Sequence, residues 1–352
     1  MNRFWSKTAS NINPYVPGEQ PHDKKYIKLN TNENPYPPSP KVFEAIRRET
    51  SADVRLYPDP DAVGLKNAIA RFYEVDCDEV FVGNGSDEVL AFCFPAFFNP
   101  GDTVSFPDIT YSFFPVYSRL FGVKYKTVRL TDDFLIPFDD FTSSARGILV
   151  PNPNAPTGLA VGTDMIERLL RRFPDTLVIV DEAYVDFGAC SSVPLIKKYD
   201  NLLVVQTFSK SRSLAGLRVG YAIGNNGLIE ALERVKNSFN SYTIDRIAQK
   251  AAEAAIDDKE YFYKTLKRVV NTREYTAQKL NGLGFTVIPS KSNFLFVSHK
   301  DIKAEEIFIK LRQEGILVRH FKMLRIENWL RITIGTDDDM AALIEKLKAM
   351  MI

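Results

Sequence analysis

Residues 204–224, VVQTFSKSRSLAGLRVGYAIG, set two apolar runs on either side of a segment holding one lysine, three serines and two arginines. Both runs read as strands, one running into Lys210 and the other starting beside Arg218. Upstream, EVFVG, DTVSFP, KYKTVRL, RGILVPN and TLVIVDE are further apolar runs, and stretches with helical spacing separate them. Counted with LLVVQTFS and RVGYAIG they predict seven strands in a mostly parallel sheet, covered by helices on both faces: an α/β fold.

Downstream of Gly227 a long helical region extends to about Leu280, broken near DDKEY. It leads into FTVIPSKSNFLFVS, AEEIFIKLRQEG, ILVRHF, WLRITIG and DDMAALIEKLKAMM, a smaller α+β unit. The opening residues are rich in Pro, Asn and Tyr and show no sustained period, so they read as an extended arm. The boundaries drawn from these changes are 1–39 for an arm contributing to the small domain, 40–245 for the large domain, and 246–352 for a linking helix and the small C-terminal domain.

Composition narrows the function. The 352 residues are 45% hydrophobic and 25% charged, with 45 basic against 44 acidic side chains and a net charge of +1. Such a balance offers no overall field for nucleic acid or a membrane surface and favours a small ligand held by local charges. Cys77, Cys93 and Cys190 are widely spaced, forming neither a disulfide framework nor a CxxC pair. His22, His299 and His320 lack histidine partners at helical spacing, so no metal site is expected. The N-terminus lacks the apolar core of a signal peptide, and no apolar run is long enough to span a membrane, which predicts a cytoplasmic, soluble protein.

In open parallel sheets ligands bind beyond the carboxyl ends of the strands, so the polar residues there are the candidates. Gly83-Asn84-Gly85-Ser86-Asp87 lies between a strand and a helix; Glu88 replaces the third glycine of a dinucleotide fingerprint, whereas a single phosphate cradle fits. Taken alone it reads better as a turn capped by Ser or Asp. Asp181, Glu182 and Tyr184 end another strand, and PNPNAPTG, residues 151–158, forms a tight proline-ruled turn. Lys210 at the ligand-bearing edge is a candidate nucleophilic amine, Arg218 a fixed charge suited to phosphate, and Thr207 and Ser209 add hydroxyls. A lysine, a phosphate-binding arginine, a helix N-terminus and a strand-end aspartate together describe a site for pyridoxal phosphate, whose aldehyde, phosphate and ring nitrogen need those partners in turn.

The ordered series NPYVPG, LNTNENP, RLYPDP, GNGSDE, PNPNAPTG, VDEAY, TFSKSRSLAGLRVG, SNFLFV and LRITIG resembles the fold-type-I pyridoxal-phosphate-dependent aminotransferases of class II, over nearly the whole chain. Within them it is similar to the histidinol-phosphate aminotransferases. The resemblance implies the aspartate-aminotransferase-like fold and a Schiff base between Lys210 and the cofactor. It pairs Asp181 with the ring nitrogen, sets Tyr184 on the ring hydroxyl and stacks Tyr111 on the ring. Gly85, Ser86, Asp87, Thr207, Ser209 and Arg218 fall at cofactor positions, with the phosphate held by Ser86, Thr207, Ser209 and Arg218. Tyr15, Asn32, Arg319 and Arg331 fall at substrate positions. It further implies a homodimer with shared active sites, in which Tyr57 reaches the neighbouring subunit's phosphate. One position departs from the pattern: many relatives carry Asn directly before PTG, and here Ala155 stands there with Asn154 before it. Either Asn154 reaches the ring hydroxyl from one residue back or Tyr184 makes that contact alone.

The reaction so implied converts L-histidinol phosphate and 2-oxoglutarate to imidazole-acetol phosphate and L-glutamate, a step of histidine biosynthesis. An aromatic aminotransferase and a threonine-phosphate decarboxylase share much of the framework. A pyridoxal-phosphate-binding regulator is the alternative from another class, and the motifs leave no room for its DNA-binding module.

Overall fold

A computed structural model describes residues 3–350. After a short helix α1 (Lys7–Asn11) and strand β1 (Ile27–Lys28) come α2 (Pro40–Glu49) and α3 (Val63–Tyr73). The large sheet is built from β2 (Val80–Gly83), β3 (Thr103–Pro107), β4 (Lys124–Val128), β5 (Gly147–Pro151), β6 (Leu177–Asp181), β7 (Leu202–Thr207) and β8 (Gly220–Gly224). Its order is β2-β8-β7-β6-β5-β3-β4. Every pair is parallel except the two made by β8, which is antiparallel to both β2 and β7. All seven expected strands form.

Alternate residues of these strands feed two separate cores, because successive side chains leave a strand on opposite faces. Ile148, Val150, Val178, Val180, Leu202 and Val204 pack on one face. Leu149, Ile179, Leu203, Val205 and Ala222 pack on the other, with α4 (Gly85–Phe97) and α5 (Phe114–Leu120). Covering both faces is what allows near-continuous apolar runs and a parallel arrangement.

The first of these faces carries α6 (Thr163–Arg172) and α8 (Arg246–Asp257), while α7 (Asn226–Phe239) packs with α4. The sequence boundary at 246 falls at the start of α8. Ala248, Ala251, Ala252 and Ala255 form a buried small-residue face that lets α2 and α3 approach closely, so α8 belongs to the large core. The second unit begins with α9 (Lys259–Gly282) and contains β9 (Phe285–Ile288), β10 (Phe294–His299), α10 (Ala304–Gln313), β11 (Ile316–Leu317), β12 (Arg319–His320), β13 (Leu330–Thr333) and α11 (Asp337–Met350). Its antiparallel sheet runs β12-β13-β10-β9, and β1 pairs with β11. Leu29 and Tyr36 of the arm are buried in this second core, so the arm is tied down along part of its length. No helix among the described residues is long and apolar enough to cross a membrane, and no group of three or more potential ligands among them is placed to hold a metal.

Candidate active site

The carboxyl ends of β2, β6 and β7 lie along one edge of the large sheet. Because β8 is antiparallel, its beginning lies at that same edge, with Gly220 opposite both Gly83 and Thr207. This brings Arg218 beside the residues after β7. A cavity of about 620 Å³ opens there, lined by Ser86, Asp87, Asp181, Thr207, Ser209 and Lys210, and on its far side by arm and small-unit residues.

Two glycines let the backbone close up on this edge. Gly85 has φ +79°, and a Cβ on it would lie 2.5 Å from the Arg218 Nη2. A Cβ on Gly220 would lie 2.2 Å from the Ser86 backbone nitrogen, so β8 and the N-terminus of α4 touch only because that position is glycine. Arg218, itself left-handed at φ +53°, pairs with Asp87 at 2.8 Å. Tyr111 donates its hydroxyl hydrogen to the same carboxylate, and burial, followed by the Asp87 charge, pushes the Tyr111 pKa well up.

Asp181 ends β6 buried. Its carboxylate accepts one hydrogen bond among the described residues, from the Ala183 N–H at 3.1 Å. A hydrogen bond to a charged group contributes about 1.5–3 kcal/mol, less than the several kcal/mol that burying a carboxylate costs. Burial therefore dominates, and the Asp181 pKa is pushed up to about 7. Lys210 Nζ lies 3.4 Å from the Thr31 carbonyl oxygen and 5.7 Å from the centre of the Tyr184 ring. Asn34 Nδ2 donates to the carbonyls of Lys210 and Ser211 at 3.1 and 3.3 Å, fixing the backbone that carries the amine.

The far wall carries two arginines. Arg319 and Arg331 are directly opposed on β12 and β13, and both line the cavity. Arg331 donates to the Asn30 carbonyl at 3.1 Å, while its buried Nε has no partner. Burial, reinforced by the Arg319 charge, lowers the Arg331 pKa. Two guanidiniums facing one cavity, neither in a salt bridge among the described residues, suit an anion. Tyr15 lines the same space, stacked on Phe113 with ring centres 4.3 Å apart.

The family model for aminotransferase class I and II matches residues 24–347. The chain belongs to the class I and II aminotransferases. It is 55% identical over 349 residues to a histidinol-phosphate aminotransferase of Brachyspira hyodysenteriae, covering 99% of both chains. A histidinol-phosphate aminotransferase of Clostridium acetobutylicum is 54% identical over 348 residues, again with 99% of each covered. Among solved structures, the histidinol-phosphate aminotransferase of Sinorhizobium meliloti in complex with pyridoxal-5'-phosphate superimposes with a TM-score of 0.86 at 25% identity, over 93% of this chain and 92% of that one. The Thermus thermophilus aspartate aminotransferase with maleate gives a TM-score of 0.81 at 21% identity, over 93% and 92%, and shows the common fold.

The aminotransferase edge suits a pyridoxal phosphate by its donor chemistry. A buried carboxylate with a raised pKa and one hydrogen bond is the complement of a cationic ring nitrogen, and an amine, an arginine and a helix N-terminus converge on the same cavity. Most of the sequence-derived residues line it, but four need comment. Gly85 acts through its backbone and does not itself line the cavity. Asn154 is turned away, its Nδ2 donating to the Ile109 carbonyl at 3.0 Å, and Ala155 faces the cavity in its place. Tyr57 is 78% exposed, stacked on Tyr242 and outside its own chain's cavity. Asn32 lines the cavity, yet its side chain is engaged by Tyr184 and Thr333.

Sequence reasoning gave Glu182 no role and missed the Asp108–Arg325 pair. Glu182 is fully buried, taking hydrogen bonds from Ser191 Oγ, the Ser192 N–H and Gln206 Nε2, and burial pushes its pKa to about 7. Asp108, at the end of β3, pairs with Arg325 at 2.9 Å and accepts the Leu130 N–H, clasping the loop after β12 to the large sheet. Asp108 stands where the strand-end rule points; Arg325 leaves no comparable sign.

Proposed function

We propose that this aminotransferase moves the amino group of L-histidinol phosphate to 2-oxoglutarate, giving imidazole-acetol phosphate and L-glutamate in cytoplasmic histidine biosynthesis, with pyridoxal 5'-phosphate at the sheet edge. The supporting observation is the Arg319–Arg331 pair, since one pocket must take a phosphate ester and a dicarboxylate in turn. Pyridoxal phosphate supplies an aldehyde that takes up the amino group and a ring that accepts electrons when the α-proton leaves.

The chain's own groups do the rest. The Lys210 amine would hold the cofactor at its aldehyde and would serve as the general base and acid that moves the proton at the substrate α-carbon. Asp181 would keep the ring nitrogen protonated. The N–H groups of Ser86 and Asp87, the hydroxyls of Ser86, Thr207 and Ser209, and Arg218 would hold the phosphate. Tyr184 would donate to the ring hydroxyl oxygen and Tyr111 would face the ring. Arg331 and Arg319 orient the substrate anion, and Tyr15 on the arm helps exclude water from the proton-transfer step.

The assay that tests this presents L-histidinol phosphate, aromatic amino acids and threonine phosphate separately, and follows glutamate formation and carbon dioxide release. Transfer from histidinol phosphate is expected to dominate. Transfer from aromatic donors alone, or release of carbon dioxide, would replace the reading with an aromatic aminotransferase or a decarboxylase.

The two sets of arginines should separate in mutants. Alanine at Arg331 or Arg319 removes charge-assisted hydrogen bonds to substrate and should weaken histidinol phosphate and glutamate about 10- to 100-fold, with the holoenzyme's visible spectrum intact. Alanine at Arg218 should weaken pyridoxal phosphate by a similar factor. Cofactor affinity measured in all three variants decides it, and equal losses would remove the division of labour.

The homodimer is supported by exposed apolar side chains near Tyr57, among them Leu56, Val63, Phe239 and Tyr242, which a second copy would cover. In that arrangement Tyr57 completes the phosphate site of the neighbouring subunit. Co-expressing Lys210→Ala with an inactive Tyr57 variant should leave one intact site in each hybrid dimer; with random pairing about half the dimers are hybrids, so roughly a quarter of all sites recover. No recovery in hybrids confirmed by differential tagging would mean that each chain builds its own site.

A further inference from the structure

We infer that Asn32 is a positioning residue that aims the Tyr184 hydroxyl hydrogen into the cavity. This rests on the pyridoxal phosphate reading and replaces a direct substrate contact for Asn32. The residue is buried, with φ +56°, a left-handed backbone that asparagine tolerates better than most side chains. Each of its polar groups meets a protein partner. The backbone N–H donates to Thr333 Oγ1 at 3.0 Å, and the carbonyl accepts from Asn293 Nδ2 at 2.9 Å. Oδ1 accepts from the Thr333 hydroxyl at 3.1 Å, and Nδ2 donates to the Tyr184 hydroxyl oxygen at 2.9 Å.

The direction of each bond follows from the chain of partners. Thr333 Oγ1 accepts from the Asn32 N–H, and its own hydrogen goes to Asn32 Oδ1. In this arrangement the amide oxygen faces the Thr333 hydroxyl hydrogen and the NH₂ faces Tyr184. The Tyr184 oxygen is therefore an acceptor towards Asn32, and its own hydrogen is left to donate elsewhere. Accepting one hydrogen bond strengthens a hydroxyl as a donor of the next. Tyr184 lines the cavity, its ring held edge-on to Phe294 with centres 5.1 Å apart.

Position 155 explains why this matters. Ala155 lines the cavity and has no side-chain donor, while Asn154 lies outside that lining with its Nδ2 donating to the Ile109 carbonyl. The contact to the ring hydroxyl oxygen thus falls to Tyr184 alone, and Asn32 sets which way that phenol points its hydrogen.

Two substitutions separate the parts of this arrangement. Asn32→Gly keeps the left-handed backbone and removes the amide. Asn32→Asp keeps the shape but presents acceptors only, so the Tyr184 hydrogen turns towards it and away from the cavity. A donor at the ring oxygen stabilises its ionised form, so losing that donor should raise the pH midpoint of the holoenzyme's visible absorption in both variants. The cofactor-free protein should bind pyridoxal phosphate about tenfold more weakly, the worth of one hydrogen bond, with Asn32→Asp affected the more. Adding Ala155→Asn to Asn32→Gly supplies a second donor and should bring the midpoint back. Unchanged midpoints in both single variants, with or without a fall in thermal stability, overturn the inference by making Asn32 purely structural, as does a shift that Ala155→Asn leaves in place. A wild-type protein without a visible band in pyridoxal phosphate sinks the cofactor reading first and is told apart by that.

Discussion

Replacing Lys210 by alanine should lower turnover by several orders of magnitude while leaving the cofactor phosphate held. Two functions are lost together: the amine that binds the aldehyde carbon and the base that moves the α-proton. Proton transfer by a positioned side chain is alone worth about 10²- to 10⁴-fold, and the covalent anchor adds to that. The proposed grip on the phosphate does not involve the amine: Ser86, Thr207, Ser209 and Arg218 line the cavity around it. Single-turnover rates with histidinol phosphate and borohydride labelling are the measurements. Wild-type protein should take up label on Lys210, and the variant should take up none while still retaining pyridoxal phosphate. Near-normal turnover in Lys210→Ala would refute the role given to the lysine.

The placement of Lys210 was legible because its strand is a continuous apolar run that ends in polar residues. The same signal located the other six strands, and the strand-end rule found Asp181 and Ser86. What the sequence hid depends on contacts made across the molecule. Asn32 sits in a segment without periodicity, and its partners lie 152 and 301 residues away. Arg325 and Asp108 are 217 residues apart, in a loop and at a strand end. The alanine face of α8 is equally compatible with either core, since small residues record close packing but not the partner. At 154 and 155 the question was which of two adjacent side chains faces the cavity, and Ala155 lines it while the Asn154 side chain donates to the Ile109 carbonyl.

Asp181→Asn should cost turnover far more than binding, because asparagine keeps the shape of the site but has no charge with which to keep the ring nitrogen protonated. The expected result is a loss of several orders of magnitude in turnover at a substrate Michaelis constant changed little. A raised Michaelis constant at unchanged turnover would make Asp181 a binding residue instead. A second readout needs no catalysis. In the cofactor-free protein the Asp181 pKa is raised by burial from 3.8 to about 7, so between about pH 4 and 7 the folded chain holds a proton that the unfolded chain has released. Stability must then fall as pH rises through that window. Glu182, raised to about 7 by its own burial, contributes in the same direction. Asp181→Asn removes one of the two titrations, so the fall in stability should be shallower in the variant and persist only through Glu182. Bound pyridoxal phosphate should flatten the wild-type profile as well, since a cationic ring nitrogen offsets the cost of the Asp181 charge. Denaturant titrations at pH 5 and pH 8, with and without cofactor, measure both effects. Identical pH profiles for wild type and variant would show that Asp181 is already ionised without the cofactor and that burial does not raise its pKa; the turnover measurement alone would then carry the pairing with the ring nitrogen.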